Sequence, residues 1–169
     1  MKYESYKHNN GFTFVELIVV IVILAIMSAS AVAGFRSYRE SGRTRASEKI
    51  VSSIDYARAI AQISNYETYI KFYYTDRDLK ADVFTIDRDG NIDIKETYKI
   101  CGSEYTLYYK TESGINYLEL SDESTLQLGF NKSTSGFKEA GYIKSLIVDN
   151  DSDSEVVLIK ETGRAFKSA

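Results

Sequence analysis

Residues 11–35 of the chain read GFTFVELIVVIVILAIMSASAVAGF, an apolar run in which Glu16 is the one charged side chain. At about 1.5 Å per residue, a helix over residues 12–35 reaches roughly 36 Å. That length spans the ~30 Å hydrocarbon layer of a bilayer. An ionised carboxylate inside such a segment costs a few kcal/mol. The stretch therefore predicts a membrane-spanning helix that carries a carboxylate in need of a partner.

A cationic partner for Glu16 would arise if the chain were cut between Gly11 and Phe12, because Phe12 would then carry a free α-amine. Opposite charges about 4 Å apart attract by about 4 kcal/mol at an effective dielectric constant of about 20. This attraction offsets much of the desolvation of the pair. Within one helix the amine and a side chain four residues later point in different directions. The pairing is therefore predicted between neighbouring subunits, either copies of this chain or its relatives.

The sequence GFTFVE at residues 11–16, followed by the apolar run, resembles the class III signal of type IV pilins and of the pseudopilins of type II secretion and competence systems. In that family a prepilin peptidase cuts after the glycine. The new N-terminal phenylalanine is N-methylated, and the glutamate guides assembly. The resemblance places cleavage between Gly11 and Phe12, methylation on Phe12 and the assembly role on Glu16.

The same resemblance implies a location and a set of partners. The location is a single-pass protein of the cytoplasmic (inner) membrane that later enters an extracellular or periplasmic filament. The partners are other pilins or pseudopilins, the prepilin peptidase, the inner-membrane assembly platform and membrane lipid. The competing interpretation is a plain single-span anchor that keeps its N-terminal segment.

Composition limits the remaining classes of function. The 169-residue chain has a formal net charge of −3 at pH 7, which does not favour a nucleic-acid binder. Its single cysteine, Cys101, excludes an intrachain disulfide. Its single histidine, His8, lies in the N-terminal leader, and no catalytic set stands out. The chain is therefore predicted not to be an enzyme.

The chain is predicted to divide into four segments. They are a cytoplasmic leader at residues 1–11, a transmembrane and filament-core helix at 12–35, an amphipathic continuation of that helix at 36–65, and a β-rich domain at 66–169. Basic residues crowd the outer end of the apolar segment, and the positive-inside rule alone would hold that end in the cytoplasm. The basic residues are Arg36, Arg39, Arg43, Arg45 and Lys49. The class III signal favours the opposite orientation, with the N-terminal leader in the cytoplasm.

The amphipathic continuation is indicated by apolar residues at spacings of three and four, which form one face of a helix. They are Ala46, Ile50, Ile54, Ala57 and Ala61. Gly34 and Gly42 are predicted soft points of the helix.

After Asn65 the period changes to that of strands, with a hairpin predicted around Asp89-Gly90. Segregated helix and strands predict an α+β fold in which the long helix packs on an antiparallel sheet, as in pilins. Val156–Ile159, apolar on both faces, is predicted to be a central, covered strand that closes the set. The other predicted strands lie at Tyr66–Thr75, Phe84–Ile86, Ile92–Ile94, Tyr105–Tyr109, Leu118–Leu120, Leu126–Phe130 and Tyr142–Val148.

Three short segments resemble the minor pilins of the GspH/FimT type. They are DYARA at residues 55–59, LQLGF at 126–130, and VVLI at 156–159 leading into TGR at 162–164. Some members of that type are thought to bind DNA through a basic tail, which makes Arg164 and Lys167 candidate DNA contacts. Phe166 interrupts a two-arginine pattern there. A DNA-binding minor pilin is therefore the alternative function.

An acidic stretch near the C-terminus offers candidate ligands for Ca²⁺ at Asp149, Asp151 and Asp153. Ser154 and Lys160 occupy the positions where an EF-hand-like loop needs glycine and glutamate. A solvated acidic turn is the competing interpretation, and no other cofactor is predicted.

Overall fold

The computed structural model describes residues 12–118, 124–138 and 143–168. The chain divides into two compact units, one ending at Arg39 and one beginning at Glu40. Helix α1, Phe14–Ile63, contributes to both. The predicted cleavage glycine Gly11, the leader and two predicted strand ends, Leu120 and Tyr142, lie outside the described residues. The predicted segment boundaries at residues 11, 35 and 65 stay predictions.

The first unit contains the apolar half of α1. Its most apolar 18-residue window has a mean hydropathy of 2.8 and no buried side chains, and α1 is long and apolar enough to cross a membrane. Two hydroxyls inside the run are satisfied within the helix: Ser28 Oγ donates to the carbonyl of Leu24 at 2.7 Å and Ser30 Oγ to that of Ile26 at 3.0 Å. Such internal bonds remove the main cost of placing serine in an apolar environment.

The second unit combines the C-terminal half of α1, residues 40–63, with two antiparallel sheets. The strands are β1 Glu67–Thr75, β2 Asp78–Ile86, β3 Ile92–Gly102, β4 Leu107–Thr111, β5 Gly114–Tyr117, β6 Thr125–Phe130, β7 Ser145–Val148, β8 Glu155–Ile159 and β9 Arg164–Lys167. One sheet has the order β3-β2-β1-β6 and the other β5-β4-β7-β8-β9. The predicted α+β, pilin-like architecture is confirmed.

The predicted apolar face of α1 is buried in this unit. Its five residues, from Ala46 to Ala61, are between 0 and 3% exposed and belong to one core with Phe72, Leu107 and Val156. Burying five such side chains is what holds a helix of modest intrinsic preference in place. The spacing of three and four therefore predicted the buried face correctly.

Gly42 is a point of close approach between α1 and Tyr105, and its predicted role as a soft point of the helix stays a prediction. A Cβ atom at this position would collide with the ring of Tyr105, which is 4% exposed. The absence of a side chain lets the aromatic ring lie directly on the helix backbone. Gly34 has no atom within 4 Å of such a Cβ.

The end of the chain differs from its predicted form. A further strand, β9, follows β8, so Val156–Ile159 does not close the set. The predicted central position of Val156–Ile159 is confirmed, because β8 lies between β7 and β9. Its second face is not fully covered, because Val157 and Ile159 are only half-buried. β5 ends at Tyr117, so Leu118, where a strand was predicted to begin, lies outside it.

Gly163, in the turn between β8 and β9, has a φ of +64° and faces the backbone oxygen of Ser135. We expect Gly163→Ala to lower the free energy of unfolding by about 1–3 kcal/mol more than Gly90→Ala, because only the first adds a collision to the cost of positive φ. Gly90, with a φ of +85° and open space around it, is the matched control. Chemical denaturation of the two variants measures the difference, and equal losses would contradict the predicted collision.

The hairpin predicted around Asp89-Gly90 joins β2 and β3, and the side chain of Asp87 closes its turn. Its carboxylate accepts hydrogen bonds from the backbone N–H groups of Asp89 and Asn91, both at 2.9 Å, and from the side-chain amide of Asn91. The side-chain amide of Asn91 is the largest cause that lowers the pKa of Asp87 below its ordinary value.

Asp87→Asn is expected to destabilise the hairpin at neutral pH. Because the pKa of Asp87 is lower in the folded state, the contribution of its charge is present above the ordinary aspartate pKa and is lost as pH falls through the folded-state pKa. The stability difference between wild type and variant should therefore shrink on acidification below the ordinary value. Thermal unfolding between pH 7 and pH 2 measures it, and a difference independent of pH would contradict this role of the charge.

Candidate functional site

The candidate functional site lies at the start of α1, where Thr13 precedes the first helical residue. The backbone N–H and the hydroxyl of Thr13 both donate to Glu16 Oε2, each at 2.8 Å. The N–H of Glu16 in turn donates to Thr13 Oγ1 at 3.2 Å. This reciprocal arrangement is a capping box, and it satisfies backbone donors that have no partner inside the helix.

The capping box gives Glu16 a neutral partner within its own helix turn, whereas the sequence analysis considered only a cationic partner from a neighbouring subunit. The pattern Thr-x-x-Glu at residues 13–16 was the signal that could have revealed it. A carboxylate in the first turn of a helix is also favoured by the helix dipole. Thr13 is therefore a residue of this site that the sequence reasoning missed.

Glu16 retains capacity for a second partner. Both donors from Thr13 use Oε2, and within the described residues no hydrogen bond reaches Oε1. A carboxylate accepts about four hydrogen bonds in total. Phe12 directly precedes Thr13 and its side chain is 84% exposed. An amine created on Phe12 would therefore lie at the same end of the helix as a carboxylate with an unused oxygen.

The comparisons with known proteins bear on this same end of the chain. Residues 6–32 match the family model of the prokaryotic N-terminal methylation motif. This motif includes Phe12, Thr13 and Glu16 and extends into the apolar half of α1. No curated protein and no solved structure matches the chain.

The methylation motif supports a type IV pilin-like or pseudopilin subunit. It points to a structural subunit rather than an enzyme, and it implies processing by a prepilin peptidase and assembly with other pilins. Together with the apolar helix, it is compatible with a membrane-anchored protein.

The two candidate DNA contacts are not brought together. Arg164 and Lys167 are three residues apart on β9, so their side chains leave opposite faces of the strand. Arg164 is exposed, whereas Lys167 Nζ lies 3.5 Å from Thr44 Oγ1 on α1. DNA binding through these residues stays a prediction.

The three candidate Ca²⁺ ligands lie in the β7–β8 connection and have different surroundings. Asp151 forms an ion pair with Arg43 at 3.1 Å, and Asp149 Oδ1 accepts from the N–H of Thr106 at 3.2 Å. Asp153 is exposed. Within the part of the chain that is described, no three His, Cys, Asp or Glu side chains are grouped so as to hold a metal ion. Calcium binding here stays a prediction.

Cys101 is the free thiol of the second unit. It is half-buried on β3, and burial raises its pKa to about 12. Because the thiolate is the nucleophilic form, the raised pKa leaves little of the reactive form of Cys101 at neutral pH.

Proposed function

We propose that this chain is a minor pilin or pseudopilin of a type IV pilus or of a type II secretion or competence pseudopilus. It is made as a single-pass precursor in the cytoplasmic membrane. It is cut after Gly11, N-methylated on Phe12 and moved into a filament. The methylation motif over residues 6–32, coincident with a carboxylate at the start of an exposed apolar helix, is the observation that carries this proposal.

The chemistry of assembly follows from the capping box. In the membrane, Thr13 supplies donors to Glu16 and so lowers the cost of holding a carboxylate at the edge of the apolar layer. In the filament, the Phe12 amine of a neighbouring copy supplies a charge of opposite sign. A paired and hydrogen-bonded carboxylate is far less costly in an apolar core than an unpaired one. The pair therefore sets the register between adjacent helices.

The exposed apolar half of α1 supplies the attraction between subunits. Its side chains from Phe14 to Phe35 include many that are roughly half exposed, such as Leu17, Ile21 and Leu24. Burial of such surface against other helices replaces its contact with lipid once the subunit leaves the bilayer. The β-rich unit then faces outward. The segments DYARA, LQLGF and VVLI support the GspH/FimT subtype.

The mass of the N-terminal peptide from native membranes tests the proposal. We expect a chain that begins at methylated Phe12, and an uncut chain in a strain that lacks the prepilin peptidase. A chain that still begins at Met1 in the presence of the peptidase would show that the protein is a plain membrane anchor.

A further inference from the structure

A groove of about 560 Å³ lies between α1 and β9, within the second unit of the chain. The helix lines it with one stripe of residues, Glu48, Val51, Ser52 and Asp55, and the strand lines it with residues 165–167. Consecutive side chains of a strand leave alternate faces of the sheet. A groove lined by three consecutive strand residues therefore runs along the free edge of β9 and not over one face of the sheet.

Backbone groups of β9 are directed into this groove. β9 is the last strand of its sheet, so one of its edges has no neighbouring strand among the described residues. The N–H of Ser168 donates to the carbonyl of Glu155 at 2.7 Å, which sets the phase of the antiparallel ladder between β8 and β9. Hydrogen-bonded pairs alternate along such a ladder. The N–H and C=O groups of Ala165 and Lys167 consequently point away from β8, towards the free edge.

Contacts between α1 and the β9 segment close the groove at both ends. Lys167 Nζ lies 3.5 Å from Thr44 Oγ1 at one end, and Arg58 Nε donates to the carbonyl of Thr162 at 2.6 Å at the other. The stripe of α1 between these contacts rises about 10 Å along the helix axis. An extended chain covers that distance in about three to four residues. The groove therefore has the length of a short strand.

The helical wall of the groove is acidic. Glu48 and Asp55 are both exposed, and neither forms a hydrogen bond or ion pair with any described residue. On the other side of α1, Lys49 Nζ donates to the carbonyl of Lys99 on β3 at 2.8 Å. A cation of the chain itself thus contacts the strand on that side, whereas the side that faces β9 presents two carboxylates. The groove therefore favours a ligand that carries positive charge.

We propose that this groove binds an extended, basic segment of another protein, which adds to β9 as one more strand. The free backbone groups of Ala165 and Lys167 pair with the segment, as in other cases of strand addition at a sheet edge. Its basic side chains point towards α1 and contact Glu48 and Asp55. An apolar side chain between them covers Val51, which packs partly against the core.

The spacing of the two carboxylates suits such a segment. Side chains on one face of a strand are about 6.8 Å apart, so the first and the third of them are about 13 Å apart. Glu48 and Asp55 are about 10 Å apart along α1. The flexible stem of a lysine side chain covers the difference. A segment with a basic, an apolar and a basic residue on one face therefore matches the helical wall.

A second copy of this chain is a poorer occupant of the groove. The longest edge strand among the described residues is β3, whose exposed part carries Asp93, Lys95 and Glu96. Lys95 pairs with Asp93, so this edge has no excess of positive charge to offer. The proposal is also independent of cleavage and filament assembly, because the groove lies wholly within the second unit.

Binding of a synthetic peptide tests the proposal. The probe is a fluorescent peptide of sequence Lys-Thr-Val-Thr-Lys with blocked ends, whose lysines and valine share one face when it is extended. Its Kd for the full-length chain in nonionic detergent is measured by fluorescence anisotropy. One control peptide has glutamate in place of both lysines. Two others carry N-methyl groups on alternate amides, either on the threonines or on the valine and the lysines.

We expect the lysine peptide to bind, and its Kd to rise by at least about tenfold when the lysines become glutamates. N-methylation should weaken binding on one edge of the peptide and leave it unchanged on the other, because only one edge of an added strand pairs with β9. Equal effects of the two methylated peptides would overturn strand addition. Absence of binding by the lysine peptide would overturn the whole proposal.

Charge variants of the chain test whether the peptide lies in the groove. Glu48→Gln combined with Asp55→Asn should raise the Kd of the lysine peptide by about tenfold, because two ion pairs are lost. Asp93→Asn combined with Glu96→Gln, an equal change of charge on exposed β3, is the matched control and should leave the Kd unchanged. Equal effects of the two double variants would overturn the groove as the binding site. A dimer of the full-length chain that only the first double variant loses would show that a second copy fills the groove, which would overturn the assignment to another protein.

Discussion

Glu16→Ala is expected to leave the precursor cut after Gly11 while lowering its incorporation into filaments by at least about tenfold, as expected for loss of a buried ion pair. The substitution removes the carboxylate that receives both the Thr13 donors and, in our proposal, the Phe12 amine of the next subunit. Comparison of the processed chain in membranes with the chain in sheared filaments measures the effect. Incorporation at the wild-type level would contradict the charge-pair mechanism.

Two further variants separate the charge of Glu16 from its role in the capping box. Glu16→Gln keeps an acceptor for Thr13 but removes the negative charge, so assembly should fall about as far as in Glu16→Ala. Thr13→Val removes the side-chain donor and acceptor of the box but keeps the charge, so assembly should fall less. A larger loss in Thr13→Val than in Glu16→Gln would mean that the helix cap, not the charge pair, governs assembly.

Gly11→Val is expected to abolish processing, so that the chain keeps its leader and Phe12 carries neither a free amine nor a methyl group. Peptidases that act at targeting segments require small residues at the cut. The mass of the N-terminal peptide reports the result directly. Gly34→Ala is the control, since a Cβ there has no atom within 4 Å and should leave cleavage intact. Normal cleavage of Gly11→Val would remove the basis for the Phe12 amine.

These two predictions differ in what they require of the molecule. Gly11→Val tests whether the prepilin peptidase recognises and cuts the N-terminal signal, which depends on a few consecutive residues. Glu16→Ala tests what the processed helix does next, which depends on a neighbouring copy. Loss of filaments in both variants, with cleavage retained only in Glu16→Ala, is the pattern that the proposed function demands.

The candidate site was largely predictable from its sequence because its parts are close together in the chain. The apolar run and Glu16 can be read directly, and the same stretch matches the methylation motif. The capping box was equally local and was missed because the charge of Glu16 was considered without its spacing to Thr13. By contrast, the sequence predicted Arg164 and Lys167 as parts of one basic tail. The pairing of β9 with β8 places their side chains on opposite faces of the strand.

Local sequence patterns were sufficient to predict the long helix, its buried face and the Asp-Gly hairpin. Each of these depends on residues that are close together in the chain. The division of the nine strands seen in the described residues into two sheets, the place of β9 beyond β8 and the contact of Tyr105 with Gly42 depend on residues far apart in sequence. Such contacts are selected by how well distant surfaces pack once the chain has folded. The ion pair of Arg43 with Asp151 likewise joins residues far apart in sequence and exists only in the folded protein.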